Sequence, residues 1–305
     1  MSEAVIVSGA RTAVGSFGGT LKDVKAADLG ALVVREAIRR AGLRPGVTEF
    51  LKSCRPRAFS AFEKTAFQSR FYDYDESLRK VYFSELIMGN VLQSGLGQNT
   101  GRQASIKAGV PQETNVFTIN KVCGSSLKAV MLAAQAIKAG DAHCVVAGGM
   151  ESMSSAPHFL YNYRNGIKAG NQTIVDGMIH DGLWDSFGNN HMGEYAEYTA
   201  EKAGVSRADQ DAFSARSHQR AAAAQAAGKF AAEMVTVEIA GKGGNTTVTV
   251  DESPRKDTSL ESLARLKPAF RKEGTVTAGN APGLNDGASA LVVTSLAFAR
   301  AHGLA

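Results

Sequence analysis

Residues 116–149, VFTINKVCGSSLKAVMLAAQAIKAGDAHCVVAGG, decide how the chain folds. Val116 to Ile119 is a short apolar run with β-branched residues and reads as a strand. Ser125 to Ala139 carries small or apolar residues around most of its circumference, which predicts a helix buried on several sides. Cys144 to Ala147 reads as a second buried strand. Strand, helix and strand in so few residues describe a layered α/β unit, with a right-handed crossover if the strands are parallel. Upstream lie a strand at Leu86 to Met88 and a helix at Gln103 to Ala108. The chain opens on the strand Val5 to Val7 and a glycine-containing loop. A helix follows over Ala27 to Ala41, where Leu29, Leu32, Val33, Ala37 and Ala41 recur at helical spacing, Arg39 and Arg40 occupy the last turn, and Gly42 and Pro45 end it. Residues 154–284 change character: a Gly- and Asn-containing stretch, an alanine-rich helix near Gln210 to Ala227, and the alternating runs MVTVEI and TTVTVD. These predict an inserted second domain of α+β type. A strand at Ala290 to Thr294 and a short final helix complete the chain.

The composition is that of a globular protein: 305 residues, 44% hydrophobic and 21% charged, enough for one large domain or two. No apolar run reaches the length of a membrane span, and no leader precedes the first strand, so the expectation is a soluble, cytoplasmic protein without a membrane partner. A net charge of +5 is too dilute over this length to imply nucleic acid. Three cysteines form no disulfide framework and suit a reducing compartment. Residues 49–83 stand apart, holding nine of the chain's aromatic residues among interspersed charges. They read either as a basic, aromatic docking surface or as an inserted surface segment or read-through sequence, and no chemistry is assigned to them.

Cys123 follows a strand and precedes the helix at Ser125. Free backbone N–H groups and the positive end of the helix dipole stabilise a thiolate there, and Gly124 admits close approach of a substrate; the alternative is a packed core cysteine. Cys144, in an apolar strand, reads as core, and Cys54, beside Arg55 and Arg57, belongs to the unassigned segment. A cysteine nucleophile needs a base and oxyanion donors. His191, in the polar loop GNNHMGEYAE, is the histidine best placed by its surroundings, with a solvent-facing loop histidine as the alternative. His180, Asp181, Asp185 and His191 match no metal-site spacing, so no metal is expected. GLGQNTG at 95–101 misses the dinucleotide fingerprint by one residue, and GKGG at 241–244 reads as a hairpin turn between the two alternating runs. Arg255 and Lys256 are available to an anionic ligand or to water.

Taken in order, VIVSGARTAVGSFGG, GQNTGRQASIKAG, NKVCGSSLKAVMLAAQAI, VVAGGMESMS, DGLWD, HMGEYAE, LKPAF and TVTAGNAPGLNDGA resemble the thiolases, and within them the biosynthetic acetyl-CoA acetyltransferases. The resemblance covers most of residues 1–48 and 84–305. It implies a thiolase-like layered α/β fold: a βαβαβ N-terminal domain (1–153 and 285–305, with 49–83 as an atypical insertion) and a loop domain (154–284) that binds CoA. It makes Cys123 the nucleophile that accepts an acetyl group from acetyl-CoA, to be attacked by a second acetyl-CoA to give acetoacetyl-CoA. It places Arg255 and Ser262 near the nucleotide end of CoA, and Leu183, His191, Met192, Phe270 and Ala278 along the pantetheine channel. No cofactor is implied beyond CoA thioesters as substrates, and a homo-oligomer, dimer or tetramer, is expected, using the loop from Tyr161 to Asp176.

Two departures go with the resemblance. Pro282 stands where the family has a serine that hydrogen-bonds pantetheine, and a proline side chain offers neither donor nor acceptor. The family's Asn-Glu-Ala-Phe, Gly-His-Pro and Cys-x-Gly motifs do not occur in these 305 residues, so the C-terminal half is expected to be absent. With it would go the activating base, the second cysteine and oxyanion donors, leaving this polypeptide nearly inactive and an apolar face uncovered. The other readings are a noncatalytic CoA-binding or dimerising remnant, and a β-ketoacyl synthase relative, which the loop-domain motifs disfavour.

Overall fold

A computed structural model describes residues 2–54, 56, 66–241 and 243–304. Its strands are β1 (Ala4–Arg11), β2 (Gly15–Ser16), β3 (Leu43–Pro45), β4 (Arg79–Val81), β5 (Glu85–Gly89), β6 (Asn115–Ile119), β7 (Cys144–Ser152), β8 (His158–Phe159), β9 (Val175–Asp176), β10 (Trp184–Asp185), β11 (Asn190–His191), β12 (Val237–Ile239), β13 (Thr246–Val248) and β14 (Asn285–Ser295). The helices are α1 (Ala26–Arg40), α2 (Glu49–Ser53), α3 (Ala66–Ser69), α4 (Thr100–Lys107), α5 (Ser125–Ala139), α6 (Met192–Ala203), α7 (Arg207–Ala226), α8 (Leu260–Ala264) and α9 (Leu296–Ala301). The central sheet runs β1-β14-β7-β5-β6, with β2 added against β14. Strands β5, β6 and β7 are mutually parallel, linked through α4 and α5, which is the expected βαβαβ unit. The last strand, β14, returns antiparallel between β1 and β7.

Helices cover both faces of this sheet because its strands are apolar on both sides. Leu86, Met88, Val146 and Val292 pack with Val33, Val34, Ala37 and Ile38 of α1 and Ala104 of α4. On the other face Ile87, Val145, Ala147 and Val293 meet Ala129, Ala133 and Ile137 of α5. Full burial of a Val, Leu or Ile side chain is worth about 1.5–3 kcal/mol, so each of these contacts stabilises the layering. Helix α5 corrects its expected burial on several sides. The described residues cover one side, while Leu127 and Met131 remain 69% and 50% exposed on the other. Among the described residues no helix is long and apolar enough to cross a membrane.

The expectation that residues 49–83 form one surface insertion also fails in part. Tyr74, Val81 and Phe83 are buried in the main core, and β4 pairs in parallel with β3. Aromatic and β-branched residues near the end of that segment therefore belong to the sheet domain, and residues 55 and 57–65 lie outside the described structure. The runs read as a hairpin do pair, as β12 and β13. Val237 and Val248 of that hairpin pack on Ala13, Leu21 and Leu29, so this part of the 154–284 region is joined to the sheet domain. Arg11 fastens the join: its guanidinium forms two bonds to Asp251 at 2.7 and 3.0 Å, one to Glu233 at 2.7 Å, and stacks over Phe230.

Candidate active site

Cys123 sits, exposed, on the bend between β6 and α5. Two glycines make the bend possible. A Cβ on Gly89 would lie 2.6 Å from Ser126 N and 2.7 Å from Ser125 C, and one on Gly149 would collide with Ser126 Oγ. The C-terminal end of β5 and the middle of β7 are thus bare where the N-terminus of α5 rests on them. Val122 is left-handed, with φ 47°, which a β-branched residue adopts only when its neighbours hold it there. Asn120 Oδ1 accepts from Val122 N at 2.9 Å. Ser125 Oγ accepts from Lys121 N at 2.8 Å and donates to Val122 O at 2.6 Å. The thiol therefore lies at the N-terminus of α5, where Ser125 N already donates to Val122 O at 3.1 Å and the positive end of the helix dipole suits developing negative charge. Among the described residues Cys123 has no side-chain hydrogen bond to a base.

The other cysteines separate as expected. Cys144 is fully buried, and loss of water pushes its thiol far above the ordinary range, which makes it inert. Cys54 is exposed on the α2 cap.

Three residues assigned to the thioester channel come together. The rings of His191 and Phe270 stack at 4.9 Å, and Met192, half exposed, opens α6. His191 is the N-cap of α6, and its Nδ1 accepts from Gly193 N at 3.0 Å, so Nε2 carries the proton and is the atom free to donate. Gly193 leaves the space that the Phe270 ring fills. Leu183 closes a π-helical turn next to Trp184, which pairs with His191 across the β10–β11 ladder.

Ala278 is exposed on a loop that α6 and α7 hold from behind. Glu197 of α6 accepts from Thr275 N, Thr275 Oγ1 and Val276 N at 2.8–3.0 Å. Burial alone would raise its carboxyl, but these donors outweigh burial and hold it below the ordinary Glu range. Asn280 Nδ2 donates to Asp211 of α7 at 2.9 Å, and Asp211 is paired with Arg207. Arg255 and Ser262 lie in another part of this region. Arg255 N donates to His218 Nδ1 with its guanidinium exposed, and the Ser262 hydroxyl donates to Ser259 O within the α8 cap. Pro282 is exposed.

The residue that sequence reasoning missed is Glu151, in β7. Its carboxylate accepts from Asn90 Nδ2, Val91 N and Leu92 N, and burial, the largest influence, raises its pKa. The acidic residue inside an otherwise apolar run, VVAGGMES, was the available signal.

The model of the thiolase N-terminal domain matches residues 4–51 and 74–297. The chain belongs to the thiolase family. The unmatched residues 52–73 fall inside the anomalous segment, and the match resumes at the buried Tyr74, which narrows the insertion. An acetyl-CoA acetyltransferase of Cupriavidus necator is 48% identical over all 305 residues, which span 69% of that protein. One from Pseudomonas aeruginosa is 45% identical with the same coverage. The crystal structure of the Bacillus anthracis acetyl-CoA acetyltransferase superposes over the whole chain and 68% of its own, with a TM-score of 0.85 at 35% identity. A thiolase layered α/β fold is therefore established for this chain.

Proposed function

We propose that this thiolase is an acyltransferase acting on acetyl-CoA through an acetyl-cysteine at Cys123. The observation that carries the reading is an exposed thiol on a restrained bend at the start of α5, in a chain whose relatives are acetyl-CoA acetyltransferases. The Cys123 sulfur attacks the thioester carbonyl of acetyl-CoA. The C–S bond to CoA breaks, and CoA leaves with the proton the thiol gave up. A second acetyl-CoA loses an α-proton, and its carbanion attacks the acetyl carbonyl. The Cys123 sulfur departs as thiolate, regains a proton, and acetoacetyl-CoA is released; thiolysis is the reverse. His191 Nε2–H, Met192, Phe270, Leu183 and Ala278 line the path of the pantetheine, and Arg255 with Ser262 receives the nucleotide end. No cofactor enters this scheme. Exposed Tyr161, Tyr163, Ile167 and Ile174 suit the 161–176 segment to contact with another copy, as a dimer or tetramer in the cytoplasm.

Because Cys123 has no hydrogen-bonded base among the described residues, a polypeptide of these 305 residues turns over poorly. Loss of a single oxyanion donor alone costs about 10²–10³ in rate, and loss of a general base about as much. Chromatographic assay of acetoacetyl-CoA and free CoA from acetyl-CoA is expected to show only trace condensation by the purified polypeptide. A rate of about 1 s⁻¹ or more, ordinary for enzymes, would remove the claim of impaired turnover while leaving the acyl-cysteine route intact.

A further inference from the structure

The strained bend that presents Cys123 is restrained from a distance. Glu151 is a half-buried carboxylate with no ion-pair partner among the described residues, an expensive arrangement unless its donors are well placed. All three donors come from one loop. Asn90 Nδ2 at 2.7 Å and Leu92 N at 3.1 Å reach Oε1, and Val91 N at 2.8 Å reaches Oε2. The same loop holds the end of β6: Asn90 N donates to Ile119 O at 3.1 Å, and Asn120 Nδ2 reaches Val91 O at 3.5 Å. Asn120 Oδ1 in turn accepts from the N–H of the left-handed Val122, next to the nucleophile. In the other direction, Leu92 lies 3.3 Å from where a Cβ on Gly182 would stand, directly before Leu183 of the channel. A buried Thr100 Oγ1 donates to Asn90 Oδ1 and fixes which way that amide points.

We infer that Glu151 is a positioning residue: by holding the 90–92 loop, its carboxylate keeps the Cys123 bend in place. The inference rests on the reading of Cys123 as the acylated nucleophile, and its chemistry is specific. Every contact of the carboxylate is an acceptor contact, so an amide of the same shape turns an NH2 towards an N–H donor.

The test is Glu151→Gln, followed by intact-mass kinetics of Cys123 acetylation over a range of acetyl-CoA, by iodoacetamide alkylation of Cys123, and by melting temperature. Misplacement of the bend is expected to lower the saturating acetylation rate about 10- to 100-fold with half-saturation changed less than about twofold. Alkylation is expected to slow about three- to tenfold as the thiol moves from the helix N-terminus. The alkylation arm reads the positioning even if acetyl-CoA acylates neither form, so failure of the acetyl-CoA reading is distinguishable. Asn120 is exposed, and Asn120→Ala cuts the last link without touching the half-buried carboxylate; it is expected to reproduce the loss and serves if Glu151→Gln does not fold. Unchanged rates in a folded variant, with only the melting temperature or the half-saturation altered, overturn the inference.

Discussion

Gly89→Ala lowers the unfolding free energy by about 1–3 kcal/mol and slows the reactions of Cys123. The added Cβ has no room: it meets Ser126 N at 2.6 Å and Ser125 C at 2.7 Å, both backbone atoms at the start of α5. A side chain can rotate aside, but a helix terminus seated on a sheet moves only with its layer. Ala gains about 0.4–1 kcal/mol over Gly by restricting the unfolded chain, so a net loss means that the clash has exceeded this gain. Urea unfolding gives the energy, and iodoacetamide alkylation of Cys123 reports the bend. A variant as stable as the parent, with unchanged alkylation, contradicts the packing of α5 on β5.

Arg11→Ala has a comparable or larger effect on stability. Removal of the guanidinium leaves Asp251, whose side chain is 10% exposed, with Val14 N as its remaining donor among the described residues, and frees Glu233 and Phe230 as well. Breaking a fully buried pair from one side costs about 3–5 kcal/mol. Arg11 is itself 20% exposed, so the expected loss here is nearer about 2–3 kcal/mol after screening by water. Denaturant unfolding of Arg11→Ala, Asp251→Asn and the double variant gives the coupling directly. Losses that simply add contradict the account of Arg11 as the tie between β1 and the β12–β13 hairpin.

The layered core was legible because its strands and helices have regular apolar periods. The helix read at 27–41 is Ala26–Arg40, and the strand read at 86–88 is Glu85–Gly89. The strand read at 144–147 continues to Ser152, because Gly148, Gly149 and Glu151 interrupt the apolar signal where the sheet meets α5. Helix α6 went unread for a similar reason: its polar outer face and Gly193 hide a helix whose buried side is Gly193 and Glu197. Segment 49–83 misled by composition, since charge density concealed Tyr74, Val81 and Phe83 as core residues. The position of Cys123 between a strand and a helix was legible. The restraints on it were not, because Glu151 and Asn90 reach it through bonds between residues 29–61 positions apart in the chain.

The most direct test of the central claim is the intact mass of the purified protein after incubation with acetyl-CoA, with Cys123→Ala alongside. Gain of one acetyl group by the parent, absent from the variant, is the predicted result and establishes Cys123 as the acyl-accepting nucleophile. A folded parent that gains no acetyl group, or a Cys123→Ala variant that still gains one, contradicts it.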